Sequence, residues 1–119
     1  MEKYFHNKLV RDKIPEIIEK RGGKYKTHIL KIDEYETELK KKLIEEAKEV
    51  QNATELEIID ELADVLELVK SIANFQGIEF EDVEKRQIDK KEKNGGFDKK
   101  IFLEWTDKQK GYNGDRIKK

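Results

Sequence analysis

The chain has 119 residues, of which 45% are charged and 35% are hydrophobic, and it contains no cysteine. Its 26 basic and 27 acidic residues nearly cancel, which argues against stable nucleic-acid binding or membrane-surface binding based on excess positive charge. The absence of cysteine excludes a disulfide framework, a thiolate metal site and a cysteine nucleophile. Because residues 1–11 lack the apolar run of a signal peptide and no stretch of 18 apolar residues occurs, we expect a soluble, cytoplasmic protein without a membrane partner.

The length is that of one domain, and we predict a single domain over residues 1–119 with a flexible basic tail over residues 106–119. A domain of this size buries about two thirds of the surface of its unfolded chain. With so few hydrophobic residues, a lone helical bundle has little apolar interior, and pairing of chains would supply more. We therefore expect a homo-oligomer, either a dimer or a tetramer.

The first predicted element is an entry loop followed by a short helix, within residues 7–21. Pro15 is compatible with the first turn of a helix, and Gly22 and Gly23 are typical of a helix end. Residues 25–32 are richer in β-branched and aromatic residues, which predicts a short extended segment although the alternation is poor.

An apolar stripe with alternating steps of four and three predicts the first long helix. The positions of this stripe are Leu39, Leu43, Glu46, Val50 and Ala53. Glu46 therefore stands where the pattern requires a core residue. Asp33 followed by Glu36 resembles a capping box at the start of the helix, and we expect the helix to end near Asn52.

The same steps recur in a second long helix, again with a glutamate among the apolar positions. Its first seam comprises Ile58, Glu61, Val65, Leu68, Ile72 and Phe75. A second seam beside it comprises Ile59, Leu62, Leu66, Val69 and Ala73. Thr54 with Glu57 predicts the start of this helix, and Gly77 predicts its end. Because only a few residues separate the two long helices, we expect an antiparallel hairpin that brings Glu49 close to Glu61.

The rest of the chain predicts a further helix and a glycine turn. This helix runs from about residue 81 to residue 93, is charged nearly all round, and has Val83 and Ile88 as its apolar contacts. Residues 94–97, Asn-Gly-Gly-Phe, predict a turn, and residues 101–105 predict a short extended piece.

Four carboxylates on the two long helices are the candidate metal ligands, namely Glu46, Glu49, Glu61 and Asp64. Glu49 follows Glu46 by three residues and Asp64 follows Glu61 by three, so each pair lies about 5 to 6 Å apart at Cβ on one helix face. Burying unpaired carboxylates is costly, so a cation is expected between them. A lysine or arginine from a third helix is one candidate, but the apolar seams contain no basic residue, which favours a metal ion. The alternative, solvated side chains spaced by chance, is weaker for Glu46 and Glu61 because they lie on apolar seams.

The oxygen-only ligand set indicates which metal to expect. Carboxylates without histidine or cysteine suit Mg²⁺, Mn²⁺ or Ca²⁺ rather than zinc or copper. Di-iron sites in helical bundles use histidines at Glu-x-x-His spacing, whereas His6 and His28 lie outside the two long helices. The Asp-rich loop of helix-loop-helix calcium sites is also missing. Mg²⁺, with Mn²⁺ as the second choice, therefore remains, and because these ions usually share their ligands with phosphates, we expect a phosphorylated substrate.

Basic residues in two places are candidate phosphate contacts. Lys91 and Lys93 precede the glycine turn at Asn94, where exposed backbone amides can also bind oxygens. Lys8 and Arg11 lie in the entry loop. A solvated surface position is an equally good interpretation of each set taken alone.

Four short motifs match one known pattern. Residues 45–50 (EEAKEV) and 60–66 (DELADVL) carry the two carboxylate pairs, and residues 7–15 (NKLVRDKIP) and 95–97 (GGF) flank them. The first two resemble the metal-binding helices, and the last two a small single-domain branch, of the all-α nucleoside triphosphate pyrophosphohydrolases, the MazG-like and phosphoribosyl-ATP pyrophosphohydrolase-like superfamily. One departure is Asn94, where that branch often has arginine.

The resemblance implies an all-α fold, a helical bundle that is built on an antiparallel helix hairpin and completed by oligomerisation. It implies Mg²⁺-dependent hydrolysis of the α–β phosphate bond of a nucleoside triphosphate, which yields a monophosphate and pyrophosphate. Carried over to this chain, it implies that the four carboxylates bind the metal and that Glu46 also orients or deprotonates the attacking water. The implied substrate contacts are Lys8, Arg11, Lys91, Lys93 and Asn94.

Two alternatives to this interpretation remain open. Family members remove noncanonical nucleotides as a housekeeping task or hydrolyse phosphoribosyl-ATP in the histidine pathway, and the short chain fits the first role better. The motifs do not indicate which base is chosen. A different class of protein, a non-enzymatic helical module whose acidic face docks a basic partner, needs exposed charge, and glutamates embedded in apolar seams argue against it.

Overall fold

The computed structural model describes residues 2–110, and four α-helices are the regular secondary structure within them. The helices are α1 (Ile14–Lys20), α2 (Ile32–Asn52), α3 (Ile58–Phe75) and α4 (Phe80–Asn94). No strand occurs in the described range, which confirms the all-α prediction. Residues 25–31 form no strand, because an extended segment without a partner strand leaves its backbone groups unpaired. Residues 111–119, most of the tail predicted to be flexible, lie outside the described residues.

The short helix α1 lies within the predicted range, residues 7–21, and ends as the sequence predicts. Pro15 lies in its first turn, where a missing backbone N–H costs little. At its end the Gly22 N–H donates to the Glu19 carbonyl and the Gly23 N–H donates to the Ile18 carbonyl, each at 3.0 Å. This is the Schellman arrangement, and Gly22 adopts the left-handed conformation that it requires, with a φ of 78°. The chain therefore turns sharply after α1.

The start of α2 differs from the prediction by one or two residues. The backbone N–H of Lys31 donates to the Glu34 carboxylate at 3.1 Å, so Glu34, and not Glu36, accepts the hydrogen bond at the helix start. The Glu36 carboxylate instead accepts a hydrogen bond from the side-chain amide of Gln76 at 2.9 Å. Glu36 thereby contacts the chain just beyond the end of α3, and this tertiary contact competes with the local cap.

The turn before α3 forms as predicted. Both the backbone N–H and the hydroxyl of Thr54 donate to the Glu57 carboxylate at 3.0 Å. The Ile58 N–H then donates to the Thr54 carbonyl, so the helical turn begins at Thr54 although the regular helix starts later. These two hydrogen bonds, the backbone one first, hold the pKa of the Glu57 carboxyl below its usual value.

The helices α2 and α3 pack against each other as an antiparallel hairpin. The ring of Tyr35, near the start of α2, meets the ring of Phe75, at the end of α3, edge to face with centroids 5.6 Å apart. The opposite end of the hairpin joins the last turns of α2 to the first turns of α3 through residues 53–57. The buried hydrophobic side chains of the described residues are Leu39, Leu68 and Ala73.

The second predicted seam of α3 is covered only in its C-terminal half. Ala73 is buried and Val69 is partly buried, but Leu66, Leu62 and Ile59 are 46%, 52% and 73% exposed. We call the latter three the exposed apolar face. The uncovered half of the seam therefore lies on the first turns of α3, the same part of the helix that carries Glu61 and Asp64.

The chain forms two compact units, Met1–Phe80 and Glu81–Lys119. The first contains α1 and the α2–α3 hairpin, and within it the Lys70 ammonium lies 5.0 Å from the centre of the Phe80 ring. The second contains nearly all of α4 and the segment that follows it. The single domain over residues 1–119 stays a prediction. In the described part of the chain, no helix has both the length and the apolar character to cross a membrane.

Candidate functional site

Three of the four predicted carboxylates meet at the end of the hairpin where α2 joins α3. One carboxylate oxygen from each of Glu46, Glu61 and Asp64 lies within 4.8 Å of the other two. Glu46 comes from α2, and the other two come from successive turns of α3. We call these three residues the carboxylate cluster. It forms because the antiparallel hairpin places the last turns of one helix beside the first turns of the next.

The two glutamates that interrupt the apolar seams are partly withdrawn from solvent. The side chain of Glu46 is 14% exposed, and Glu61 is half-buried. Glu49 is exposed and lies outside the group of three, although it follows Glu46 by only one turn. Both glutamates on the seams therefore join the cluster, whereas of the two residues placed by the three-residue spacing only Asp64 does.

The surroundings of Glu61 disfavour its negative charge. Partial burial is the largest cause that raises the pKa of Glu61 above its usual value, and the charges of Glu49, Glu46 and Asp64 follow. Glu49 thus lies close enough to act on Glu61 through its charge, as the hairpin predicted. An added cation would relieve this repulsion.

Two of the four carboxylates have a basic partner. A guanidinium N–H of Arg11 donates to Asp64 Oδ1 at 2.7 Å, across 53 residues of chain. The Lys42 ammonium lies 3.8 Å from Glu46 Oε1. Within residues 2–110, neither Glu49 nor Glu61 forms an ion pair. The cluster is thus only partly compensated by charges of the chain itself.

The sequence reasoning missed Lys42, whose side chain is 17% exposed. It lies beside the apolar seam of α2 and precedes Glu46 by four residues, a spacing that places two side chains on the same helix face. That spacing is the signal that identifies it. Lys42 also lies 4.0 Å from Glu45 Oε1, so one ammonium serves two glutamates.

Residues 7–13, which we call the entry segment, border the cluster on both helices. Lys8 lies 3.7 Å from Glu45 Oε1 on α2, and Arg11 contacts Asp64 on α3. A cavity of about 250 Å³ opens between the entry segment and α2, and its lining includes Lys8, Lys42 and Glu45. Both entry-loop residues predicted to contact phosphate therefore contact carboxylates beside the candidate metal site.

The other predicted phosphate contacts belong to the second unit. Lys91 and Lys93 lie in the last turn of α4, and Asn94 is its final residue. All three are exposed. The Gly95 N–H donates to the Lys91 carbonyl at 2.8 Å and Gly95 has a φ of 86°, so the predicted glycine turn forms. A role of these three residues in phosphate binding stays a prediction.

The carboxylate cluster fits a hard divalent cation. Its ligand atoms are carboxylate oxygens only, which Mg²⁺ and Mn²⁺ prefer. Mg²⁺ holds its oxygens at about 2.1 Å in octahedral geometry, so two of its oxygens are about 3.0 Å apart when adjacent and about 4.2 Å apart when opposite. The three oxygens of the cluster all lie within 4.8 Å of one another, which is only slightly wider. The cluster can therefore hold a divalent metal with small side-chain adjustments.

Comparison with known protein families gives one match. The model of the MazG nucleotide pyrophosphohydrolase domain matches residues 34–95, which is more than half of the chain. The match spans the α2–α3 hairpin and α4, and it includes all four candidate metal ligands. Neither the comparison with curated proteins nor that with solved structures gave a match. By its sequence match, its all-α fold and its acidic hairpin, the chain belongs to the MazG nucleotide pyrophosphohydrolase family.

Proposed function

We propose that the protein is a Mg²⁺-dependent nucleoside triphosphate pyrophosphohydrolase. It hydrolyses the bond between the α and β phosphates and releases a nucleoside monophosphate and pyrophosphate. The observation that carries the proposal is the carboxylate cluster, in which Glu46, Glu61 and Asp64 converge within 4.8 Å inside the family-matched region. Converging carboxylates with too few basic partners are the arrangement expected of a site that binds a metal–phosphate substrate.

The four carboxylates have different proposed tasks. Glu46, Glu49, Glu61 and Asp64 hold Mg²⁺, or Mn²⁺ in its place. When bound, the metal polarises phosphoryl oxygens of the substrate and lowers the pKa of water. Glu46 is also proposed to orient or deprotonate the attacking water. Its 14% exposure and its place in the carboxylate cluster support this role, because a side chain held between two packed helices can hold a water molecule in a fixed position.

Basic side chains are proposed to bind the phosphates of the substrate. Lys8 and Arg11 are supported by their position beside the carboxylate cluster. Lys91, Lys93 and Asn94 are supported by their basic character and by the glycine turn that follows them. Arginine is well suited to this task, because its planar fork binds two phosphate oxygens at once.

The physiological task is proposed to be the removal of noncanonical nucleotides. Phosphoribosyl-ATP remains the alternative substrate. A non-enzymatic docking module is disfavoured, because Glu46 is mostly withdrawn from the surface that a basic partner would contact.

The active form is proposed to be a homodimer or homotetramer. The exposed apolar face, Ile59, Leu62 and Leu66, supports this, because three large apolar side chains on one helix stripe are expected to be covered by a partner. A second copy of the chain is the partner that a homo-oligomeric family predicts. The face is adjacent in sequence to Glu61 and Asp64, so an interface there would border the metal site.

The decisive experiment is an assay of pyrophosphate release. Purified protein is incubated with Mg²⁺ and a panel of canonical, deoxy and damaged nucleoside triphosphates, together with phosphoribosyl-ATP. We expect turnover of at least one triphosphate, abolished by EDTA and restored by Mg²⁺. Absence of turnover across the panel, together with tight binding to a basic protein, would favour the docking module.

A matched pair of variants tests the metal assignment in the same assay. We expect Glu61→Gln to lower turnover by more than about 100-fold, the upper range for losing only an outer-shell partner of a metal ligand. Glu67→Gln removes the same charge from an exposed position on the same helix, and its turnover should stay near that of wild type. Circular dichroism confirms that both variants remain helical. Full activity of Glu61→Gln would refute the metal assignment.

A further inference from the structure

We propose that Arg11 is the resident counter-ion of Asp64, and that binding of a metal–nucleotide complex transfers its guanidinium from Asp64 to the phosphates. This inference rests on the proposed function, and it adds a coupling between metal binding and nucleotide binding. It starts from the contact between Arg11 and Asp64, which at 2.7 Å is the shortest ion pair within residues 2–110.

The charge balance of the site explains why this contact forms. The four carboxylates carry four negative charges, and the basic partners in contact with them, Lys42 and Arg11, supply two positive charges. Arg11 is the partner that comes from outside the hairpin. The charged hydrogen bond of 2.7 Å also occupies Asp64 Oδ1, so the guanidinium and a metal ion compete for this carboxylate.

The same contact must weaken when a divalent cation binds. A metal ion held by Asp64 places two positive charges beside the guanidinium, and like charges at this distance repel. Arg11 is 56% exposed at its side chain, so it can move without disrupting packing. An unpaired guanidinium next to the metal is then available for phosphate oxygens, which it binds bidentately.

The entry segment contacts both helices that carry the carboxylate cluster. Lys8 pairs with Glu45 on α2 while Arg11, three residues later, pairs with Asp64 on α3. The segment thus spans the two helices that carry the cluster, and it is held there by two exposed ion pairs. Exposed pairs of this kind are weak, which suits contacts that are exchanged during binding.

The exchange predicts opposite changes in two affinities when Arg11 is removed. Arg11→Ala frees Asp64, so Mn²⁺ alone should bind about two- to fivefold more tightly, the range expected for loss of an exposed ion pair. The Mn²⁺ complex of inorganic triphosphate should bind about tenfold more weakly, because a phosphate contact is lost. The gain in triphosphate affinity that the metal provides therefore falls in Arg11→Ala. By reciprocal linkage, the gain in metal affinity that triphosphate provides falls by the same factor.

The experiment measures both affinities without turnover. Mn²⁺ binding is followed by the electron paramagnetic resonance signal of free Mn²⁺, and binding of the Mn²⁺–triphosphate complex by calorimetry. Wild type is compared with Arg11→Ala, with Arg11→Lys, which keeps the charge, and with Arg21→Ala. Arg21 is exposed and forms no ion pair within residues 2–110, so it controls for net charge. We expect Arg11→Lys to lie between wild type and Arg11→Ala.

The outcomes separate this inference from the proposed function. Tighter Mn²⁺ binding and weaker triphosphate binding in Arg11→Ala, with Arg21→Ala unchanged, supports the exchange even if no nucleotide in the panel is hydrolysed. Equal changes in the two alanine variants, or weaker Mn²⁺ binding in Arg11→Ala, would overturn the exchange while pyrophosphate release by wild type upholds the function. Absence of Mn²⁺ binding to wild type would overturn the exchange, whereas the pyrophosphate-release assay decides the function separately.

Discussion

Glu61 lies half-buried in a helical seam with three other carboxylates nearby, and both features disfavour its negative charge. A residue that only stabilised the fold would not be a carboxylate here, since an apolar side chain at this position would complete the seam. The charge at this position is explained if a bound cation, which the chain does not supply, balances it.

Replacing Glu61 by glutamine should therefore stabilise the metal-free protein. The raised pKa means that the folded state binds this proton more readily than the unfolded state, so the ionised group destabilises the fold above its folded pKa. This destabilisation fades as the pH falls through the raised folded pKa, and it is gone below the unfolded pKa of about 4.3. We expect a higher melting temperature for Glu61→Gln than for wild type at pH 7 in EDTA, with a smaller difference at pH 4.

Adding Mg²⁺ should reverse the order of the melting temperatures of wild type and Glu61→Gln. A ligand that binds the folded state alone raises the melting temperature, so Mg²⁺ should stabilise wild type but have little effect on Glu61→Gln. Thermal melts with and without Mg²⁺ measure both effects, and Glu67→Gln serves as the control. A Glu61→Gln variant that melts below wild type in EDTA would contradict the repulsion.

The helices keep their bounds through local hydrogen bonds at their ends. At the start of α3 the Glu57 carboxylate accepts hydrogen bonds from both Thr54 groups, and these lower its pKa. Its contribution to stability is present above the unfolded pKa and is lost as the pH falls through the lowered folded pKa. The cap matters for the site, because it begins the turns of α3 that carry Glu61 and Asp64.

Glu57→Gln should accordingly lower the melting temperature at pH 7. The loss should shrink as the pH falls below the unfolded pKa and through the lowered folded pKa, because the wild-type carboxyl then becomes protonated as well. The control is Glu55→Gln, an exposed position in the same turn. Thermal melts between pH 3 and pH 7 measure the difference between the two variants. A difference in melting temperature between the two variants that stays constant from pH 3 to pH 7 would show that the ionised carboxylate does not stabilise the cap.

The end of α3 depends on one glycine. The Gly77 N–H donates to the Asn74 carbonyl and the Ile78 N–H to the Ala73 carbonyl, and Gly77 has a φ of 71°. A side chain in this left-handed conformation costs about 1 to 2 kcal/mol, and we expect Gly77→Ala to lower the free energy of unfolding by that amount. Gly96→Ala, at a glycine with ordinary contacts, should cost less. Urea unfolding measures the free energy of unfolding of both variants, provided that its dependence on urea concentration has the same slope as in wild type.

Part of the apolar surface of the α2–α3 hairpin is not covered by any other part of the unit that contains it. Within the unit Met1–Phe80, the exposed apolar face lies on the part of α3 that carries two metal-ligand candidates. Burial of large apolar side chains stabilises an interface by about 25 cal/mol per Å², so an uncovered stripe of this kind favours association of chains. A partner on this face would also reduce solvent access to Glu61 and Asp64.

Charge placed on this face should disrupt the oligomer. We expect Leu62→Glu to convert a dimer or tetramer into monomers, because a carboxylate in an apolar interface is desolvated without a partner. Ile29→Glu places the same charge at another exposed apolar residue, outside the face, and should leave the assembly intact. Sedimentation velocity measures the mass of each variant. A monomeric wild type would contradict the proposed assembly.

Local spacing in the sequence determined the helices and most of the candidate metal site. Steps of three and four predicted which side chains share a helix face, and the short connection predicted the antiparallel hairpin. Together these two local features are sufficient to bring Glu46, Glu61 and Asp64 together. They also predicted the termination of α1 and α3, because glycine at a helix end depends only on the backbone of a few neighbouring residues.

Only the tertiary structure decided the contacts between residues far apart in the chain. The pairing of Arg11 with Asp64 spans 53 residues, and the hydrogen bond from Gln76 to Glu36 spans 40 residues. Neither has a periodic pattern that sequence reasoning can detect. The same holds for the exposed half of the second seam, because burial depends on which elements pack over a helix, whereas periodicity shows only which residues share its face.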